Sequence, residues 1–469
     1  MRRREDISPR PNWEQEVEQE GLAYRLTTLP SGKQVSYWRE TVCYEMTDAE
    51  LAVITRAGER LFQMFIQAGD YVIRHKLFAK LGIPEWAVPA IIELWKDPDD
   101  PESPARHDWY TMMMYGRYDL CPVLNSDRQI IGAKLYEYNA DTPTGIVETM
   151  LTQWNWMVEH GFLSATTSQF NNLYEALVDG WADEITKFRD YTGRPVRLVH
   201  FVYSQQEESG EDLLNTEAMA DAARAASEKL TASGKPGFEV KVIGAGDITK
   251  NTTERDGRQF GKPFFVDREG KRLDVVFKLY PWEWVLQNED GRDIVENMLL
   301  LSGIVWVEPI WKMLWSNKGI LAVLWEMFGN TPDADLLIPA YFEGEEPEGF
   351  AADCIRKPIH GREGGNAVLT VGGQIIERGP ESHYDGDSPM GEPAVLQQYY
   401  PLPSFPSYLD GDSSTGQETD YHPVFGLWTV QTGVVALLIR ESPNLVTNNL
   451  SYAVPHLITD ISPDAEQGE

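Results

Sequence analysis

A chain of 469 residues is long for one simple core and suits two or three lobes. With 42% hydrophobic and 24% charged residues it has the balance of a globular protein, which excludes disorder as the dominant state. Acidic residues number 73 and basic residues 41, and the net charge of −32 would repel nucleic-acid phosphates while permitting a cationic small substrate. The same excess of acid also fits a surface that is merely well solvated. Cys43, Cys121 and Cys354 lie far apart and form neither a CxxC pair nor a disulfide framework, so a reducing compartment is expected. No apolar run follows the basic residues Arg2, Arg3 and Arg4, so no signal peptide is expected there. The run from Met298 to Val307 is cut by Glu308 and Pro309, and Ile320 to Phe328 is too short to span a bilayer. The expectation is a soluble cytoplasmic protein with neither membrane nor nucleic acid as partner.

In chain order, residues 1–20 are polar and read as a frayed tail. Thr47-Asp48-Ala49-Glu50 is a helix start, and Leu51, Ile54, Leu61, Phe62 and Phe65 continue at helical spacing, predicting a helix over 48–78. A second helix is predicted over 86–95, with Pro89 tolerated in its first turn, before the breaker run Lys96 to Pro101. Strands over 112–120 and 130–138, joined by Asn125-Ser126-Asp127, read as a β-hairpin. Helices follow over 144–160 and 212–232, with strands over 196–203, 239–243, 275–279 and 434–439. This alternation predicts an α/β chain. Tyr341 to Gly349, Gly379 to Gly391 and Leu409 to Asp420 are rich in Gly, Ser, Pro and acidic residues and read as mobile loops.

Four groups of residues suggest chemistry. In a strand, residues i and i+2 share a face, so Arg117 stands beside Asp119, and Glu137 beside Asn139. If the two strands pair, Asp119, Glu137 and Asn139 converge as three oxygen donors of the kind Mg²⁺ prefers, with Arg117 next to them for an oxyanion. A solvated strand face could show the same letters. Lys318 and the run Arg356 to Asn366 combine ammonium groups with glycines, which suits phosphate, although neither a Walker A nor a Rossmann pattern is present. An ordinary hairpin turn remains an alternative there. Gln397-Gln398-Tyr399-Tyr400, braked by Pro401, could offer backbone edges to adenine or be a plain extended linker. Arg440 closes an apolar strand, as a site residue or as half of a surface pair with Glu441.

Together these pieces resemble the synthetase half of glutathionylspermidine synthase. The strings MYGRYDL, KLYEYNADTPTG, FKLYPWEW, NKGILAVLWEMF, RKPIHGREGGN, QQYYPLP and GVVALLIRES stand in that family's order, from about Met114 to about Ser451. The resemblance implies an α/β (α+β) chain with a circularly rearranged ATP-grasp fold behind a helical pre-ATP-grasp lead-in. Its regions would be a polar tail (1–20), a helical region (21–110), a substrate region carrying the metal-ligand strands (111–303), a nucleotide-binding region with a lid between Tyr341 and Gly379 (304–460), and an acidic tail (461–469). It implies an ATP-dependent carbon–nitrogen ligase that joins a carboxylate, such as a peptide, to an amine, such as a polyamine, with ATP and Mg²⁺ as cofactors.

Residue by residue, the resemblance makes Arg117 the group that steadies the transferring phosphoryl group or the tetrahedral intermediate. Asp119, Glu137 and Asn139 would be magnesium ligands. Lys318, Lys357, Glu363, Gly364, Gln397, Gln398, Tyr399, Tyr400 and Arg440 would hold the nucleotide, flanked by Leu445 to Thr447. Thr142, Glu211 and Asp212 would face the substrates. Gly361-Arg362-Glu363-Gly364-Gly365 departs from the Gly-Arg-Cys-Gly type of loop in bifunctional members. The residues before Met114 include Cys43 and His75 but leave no room for those members' amidase, so no amidase activity is expected. Two other classes stay open: a non-catalytic ATP-binding protein that keeps the fold, and a phosphoryl transferase that stops at a phosphorylated product.

Overall fold

The computed structural model describes residues 1–28, 34–95, 111–206, 209–255, 258–300, 302–381, 393–407, 418–446 and 451–460. The first long helix, Asp48–His75, begins where its start signal stands: the Thr47 hydroxyl accepts from the Glu50 amide, and the Glu50 carboxylate accepts from the Thr47 amide. Its apolar stripe is buried, and the helix ends at Lys76 in left-handed backbone, short of the expected Phe78. A shorter helix, Val88–Trp95, carries Pro89 in its first turn.

The stripe of the long helix packs on a central antiparallel sheet. Its strand order is Tyr452–Val454, Gly433–Ser442, Thr419–Val430, Tyr115–Leu124, Ile130–Asn139, with Phe405–Ser407 also pairing Thr419–Val430. The last two full strands are the expected hairpin, the first shifted later by a few residues and the second starting where expected. Asn125 turns it, its side-chain oxygen accepting from the amides of Asp127 and Gln129 at 2.9 Å each. Met112–Met114 stays out of the ladder, and the Met114 and Tyr115 amides donate to the buried Glu308 carboxylate.

A parallel sheet, ordered Val305–Val307, Val275–Leu279, Leu198–Tyr203, Glu239–Gly244, forms the second unit. The strands Leu198–Tyr203 and Glu239–Gly244 are joined through the helix Glu211–Ala232, a right place for the Ala-rich segment because small side chains let it lie close on the strands. A third, antiparallel sheet is ordered Ala340–Phe342, Ala394–Gln398, Cys354–Pro358, Val368–Val371, Gln374–Arg378. The described chain is thus mixed α/β.

Three expectations need correction. Residues 1–20 are not a frayed tail: Arg2–Arg4 pairs with Cys43–Thr47, and Arg3 donates twice to buried Glu441, at 2.7 and 2.8 Å. Charge pairing, which composition does not reveal, orders this polar segment. The stretch 144–160 is not one regular helix, because a π-turn at Glu148–Thr152 precedes the α-helix Gln153–Glu159. Tyr341–Gly349 is a strand end and turn of the third sheet, held by Glu343 accepting from Arg356 at 2.6 and 2.8 Å. The loops read at Gly379 to Gly391 and Leu409 to Asp420, and the tail 461–469, lie largely or wholly outside the described residues.

Glu441 also accepts from the Tyr44 hydroxyl at 2.8 Å, so its carboxylate joins the first strand to the central sheet. Replacing Arg3 by Met is expected to lower stability by about 3 kcal/mol, because it leaves a buried carboxylate with only the more distant cation of Arg39, 3.7 Å away. Urea unfolding checks this, and an unchanged midpoint would show the first strand to be dispensable.

Candidate active site

Register brings the hairpin residues together. Arg117 lies opposite Asn139, and Asp119 opposite Glu137. The intervening Tyr118 and Tyr138 turn to the other face, stack with centroids 4.0 Å apart and pack against Phe65 of the long helix. On the open face Arg117 lies flat across its neighbour strand, at Gly426: a Cβ there would sit 2.9 Å from the Arg117 Cδ.

That face floors a cavity of about 470 Å³. Its walls include all the residues expected to act: Arg117, Asp119, Glu137, Asn139, Thr142, Glu211, Asp212, Lys318, Lys357, Glu363, Gly364, Gln397, Gln398, Tyr399, Tyr400 and Arg440. Leu445 and Val446 flank it as well, whereas Thr447 lies outside the described residues. The central sheet supplies Arg440, the loop before the helix Ile320–Phe328 supplies Lys318, and the third sheet supplies Lys357 and Gln397. Glu441 points the other way, into the core.

The charges interlock. Asp119 accepts from Arg117 Nε at 3.0 Å, from Arg440 at 2.6 Å and from the Asn139 amide at 3.3 Å. Lys318 pairs with Glu137 at 3.1 Å and also donates to the Gly361 carbonyl. Burial opposes ionisation of Glu137, but Lys318, Lys357 and Arg440 outweigh it and hold the carboxyl down to about 2. Lys357 donates to Gln397 Oε1 at 2.8 Å and to the Tyr136 carbonyl at 3.2 Å. Burial lowers its ammonium to about 8, with Glu137 opposing the shift.

The donor set fits a hard divalent cation: two carboxylates and one amide on adjacent strands leave room for phosphate oxygens and water. Asn139 presents its Nδ2 to both carboxylates, so ligation by its oxygen requires the amide turned over. The Arg440 Nε is buried and has no hydrogen-bond partner among the described residues. The adenine reading of Gln397–Tyr400 is narrowed. The Gln398 amide already donates to Pro339 and the Tyr399 amide to Asp353, so these two backbone donors are taken.

Several further groups carry no legible signal of their own, although Asp141, Lys278, Glu283 and Arg362 fall within the matched strings. Asp141 pairs with Lys278 at 2.6 Å and accepts from the Trp282 amide at 3.0 Å, tying the exit of the hairpin to the parallel sheet. Lys312 donates to the carbonyls of Tyr115 and Ala140 at 2.9 and 3.0 Å, pinning the entry and exit of the hairpin together at its open end. Arg362 reaches from the glycine loop to the Thr142 hydroxyl at 3.1 Å and to Glu283 at 2.6 Å. Cys43 is buried in its strand, and burial pushes its thiol up to about 12.

The family described as glutathionylspermidine synthase pre-ATP-grasp matches residues 4–459. A candidate acid–amine ligase from Haemophilus influenzae is 29% identical over 461 residues, covering 97% of this chain and 99% of that one. Trypanothione synthetase from Crithidia fasciculata is 26% identical, covering 76% of this chain and 49% of its own length. The bifunctional glutathionylspermidine synthetase/amidase of Escherichia coli is 25% identical, covering 70% and 47%. The chain thus spans about half the length of the last two. A glutathione synthetase-like effector from Globodera pallida superposes with a TM-score of 0.52 at 9% identity, covering 96% of this chain and 98% of that one, a likeness of fold. Among the described residues no helix is long and apolar enough to cross a membrane.

The Arg362 contacts generate a prediction about the glycine loop. Burial opposes ionisation of Glu283, yet Arg362 and His360 hold its carboxyl down to about 2. Removing the guanidinium with Arg362→Ala is expected to speed amide hydrogen exchange in residues 359–366 about tenfold. Unchanged exchange there would show that backbone turns alone hold the loop.

Proposed function

The chain belongs to the glutathionylspermidine synthase pre-ATP-grasp family, and on that premise we propose that it is an ATP-dependent carboxylate–amine ligase working through an acyl phosphate. The observation that carries this reading is the convergence of Arg117, Asp119, Glu137, Asn139, Lys318, Lys357 and Arg440 on one cavity. A protein that merely bound nucleotide would have no chemical need for the full set. The relatives' names supply the substrate class: a peptide carboxylate as acid, and a polyamine or similar amine as nucleophile.

An amide does not form readily from a carboxylate and an amine, because oxide is a poor leaving group. Phosphorylation of the carboxylate supplies a better one. Lys318 and Lys357 hold the phosphates, exchanging their present internal partners for phosphate oxygens. Asp119, Glu137 and Asn139 would hold Mg²⁺, which when bound neutralises charge on the phosphoryl oxygens. Arg117 stabilises the oxyanion that develops when the amine attacks, and Arg440 keeps Asp119 in place beside it. The Gly361 to Gly365 loop, tethered by Arg362, helps to keep water from the acyl phosphate.

Three outcomes test this. ADP should be released only when acid and amine are both present, with the condensed product visible by mass spectrometry. Release with acid alone would instead mark a phosphoryl transferase, and no turnover across a broad panel would mark a non-catalytic binder. Arg117→Ala should lower turnover on the order of 10²–10³ or more while nucleotide still binds; wild-type turnover would reject its role. Nucleotide affinity should be flat below about pH 8 and weaken above it, as Lys357 loses its charge, and Lys357→Arg should abolish that decline in calorimetric titrations.

A further inference from the structure

The mechanism above lacks a group to take the proton of the amine. A second pair of carboxylates stands at the same cavity. Glu211 opens the helix Glu211–Ala232 and lines the cavity wall. Glu148, on the π-turn, lies behind it, fully buried. One Glu148 oxygen accepts from the Tyr24 hydroxyl at 3.0 Å, while Oε2 has no hydrogen-bond partner among the described residues. The Tyr37 hydroxyl stands near the same carboxylate without reaching hydrogen-bond geometry on that oxygen.

Asn215 fixes both residues. Its side-chain nitrogen donates to the Tyr24 hydroxyl and to the Glu211 carbonyl, and its oxygen accepts from the amides of Gly145 and Ile146. Thr144 links this pair to the reacting carbon. Its carbonyl accepts from Arg117, and its hydroxyl faces the Glu211 carboxyl. Arg117 and Glu211 thus meet at the carbonyl and hydroxyl of the same residue, Thr144.

Taking the ligase reading as its basis, we propose that Glu211 binds the substrate ammonium and accepts its proton, with Glu148 as the positioning residue that sets its basicity. The N–H bond of the ammonium breaks, its proton passes to the Glu211 carboxylate, and the freed nitrogen lone pair forms the C–N bond. The C–O bond to phosphate then breaks, and the departing phosphate carries away the second amine proton as hydrogen phosphate. The surroundings of Glu211 support the assignment. Burial, then the charges of Glu148, Glu363 and Asp212, raise its carboxyl to about 8, the Thr144 hydroxyl opposing. Tyr24 and Tyr37 face it from the N-terminal segment as neutral groups, and Arg117 acts on Glu148. An ordinary carboxylate would be too weak a base for an alkylammonium, whereas one raised this far is matched to the task.

Hydroxylamine separates the steps, because it is neutral near neutral pH and attacks an acyl phosphate without a base. With the acid and amine found by the ADP screen, Glu211→Gln should lower amide formation by about 10²-fold or more while hydroxamate formation stays near wild type. Glu148→Gln should move the acid limb of the amide pH–rate profile to lower pH and leave the hydroxamate profile in place. Equal losses of amide and hydroxamate in Glu211→Gln would overturn this assignment alone. Absence of hydroxamate from the wild-type chain would overturn the ligase reading and this proposal with it.

Discussion

Two carboxylates on adjacent strands, Asp119 and Glu137, face each other across the hairpin and cannot both stay ionised in a partly buried cavity without compensation. Four cations provide it. Arg117 is local to the strand, Arg440 comes from another strand of the same sheet, and Lys318 and Lys357 come from other elements. The cavity exists because these elements meet around that charge. On the ligase reading proposed above, the same arrangement would receive a nucleotide, since cations already gathered on carboxylates can transfer to phosphates when a divalent ion takes over the oxygens.

Such a site needs rigid supports, and they are buried ion pairs rather than surface ones. Lys312 with Glu308 and Lys278 with Asp141 are almost wholly buried and grip the ends of the hairpin. A buried pair contributes little net stability against an apolar substitute, but it fixes one geometry, because any displaced arrangement strands a charge. The aromatic stack of Tyr118 and Tyr138 acts from below, committing the opposite side chains to the cavity. The amide-forming function read from the family thus rests on a floor that packing and charge both specify.

The hairpin face was legible because strand geometry is local: alternation alone places Arg117 with Asp119 and Glu137 with Asn139. The start of the helix Asp48–His75 was legible for the same reason, its capping residues standing within one turn of each other. The N-terminal strand was not. Its order comes from Arg3 reaching Glu441, a partner at the other end of the chain with no local trace. The tether from Arg362 to Glu283 escaped for the same reason.

Glu211 shows the limit most clearly. Its position at the head of a helix can be read from the letters, but its strength as an acid depends on burial and on Glu148, which reaches it from another element. The sequence by itself determined which residue types alternate, where the principal helices and strands run and, through seven ordered strings, the family. Only the tertiary structure decided that the metal-type oxygens, the two lysines and Glu211 share one cavity, with Glu148 buried behind it. Convergence of distant elements follows from packing and desolvation, which act between segments and leave no periodicity along the chain.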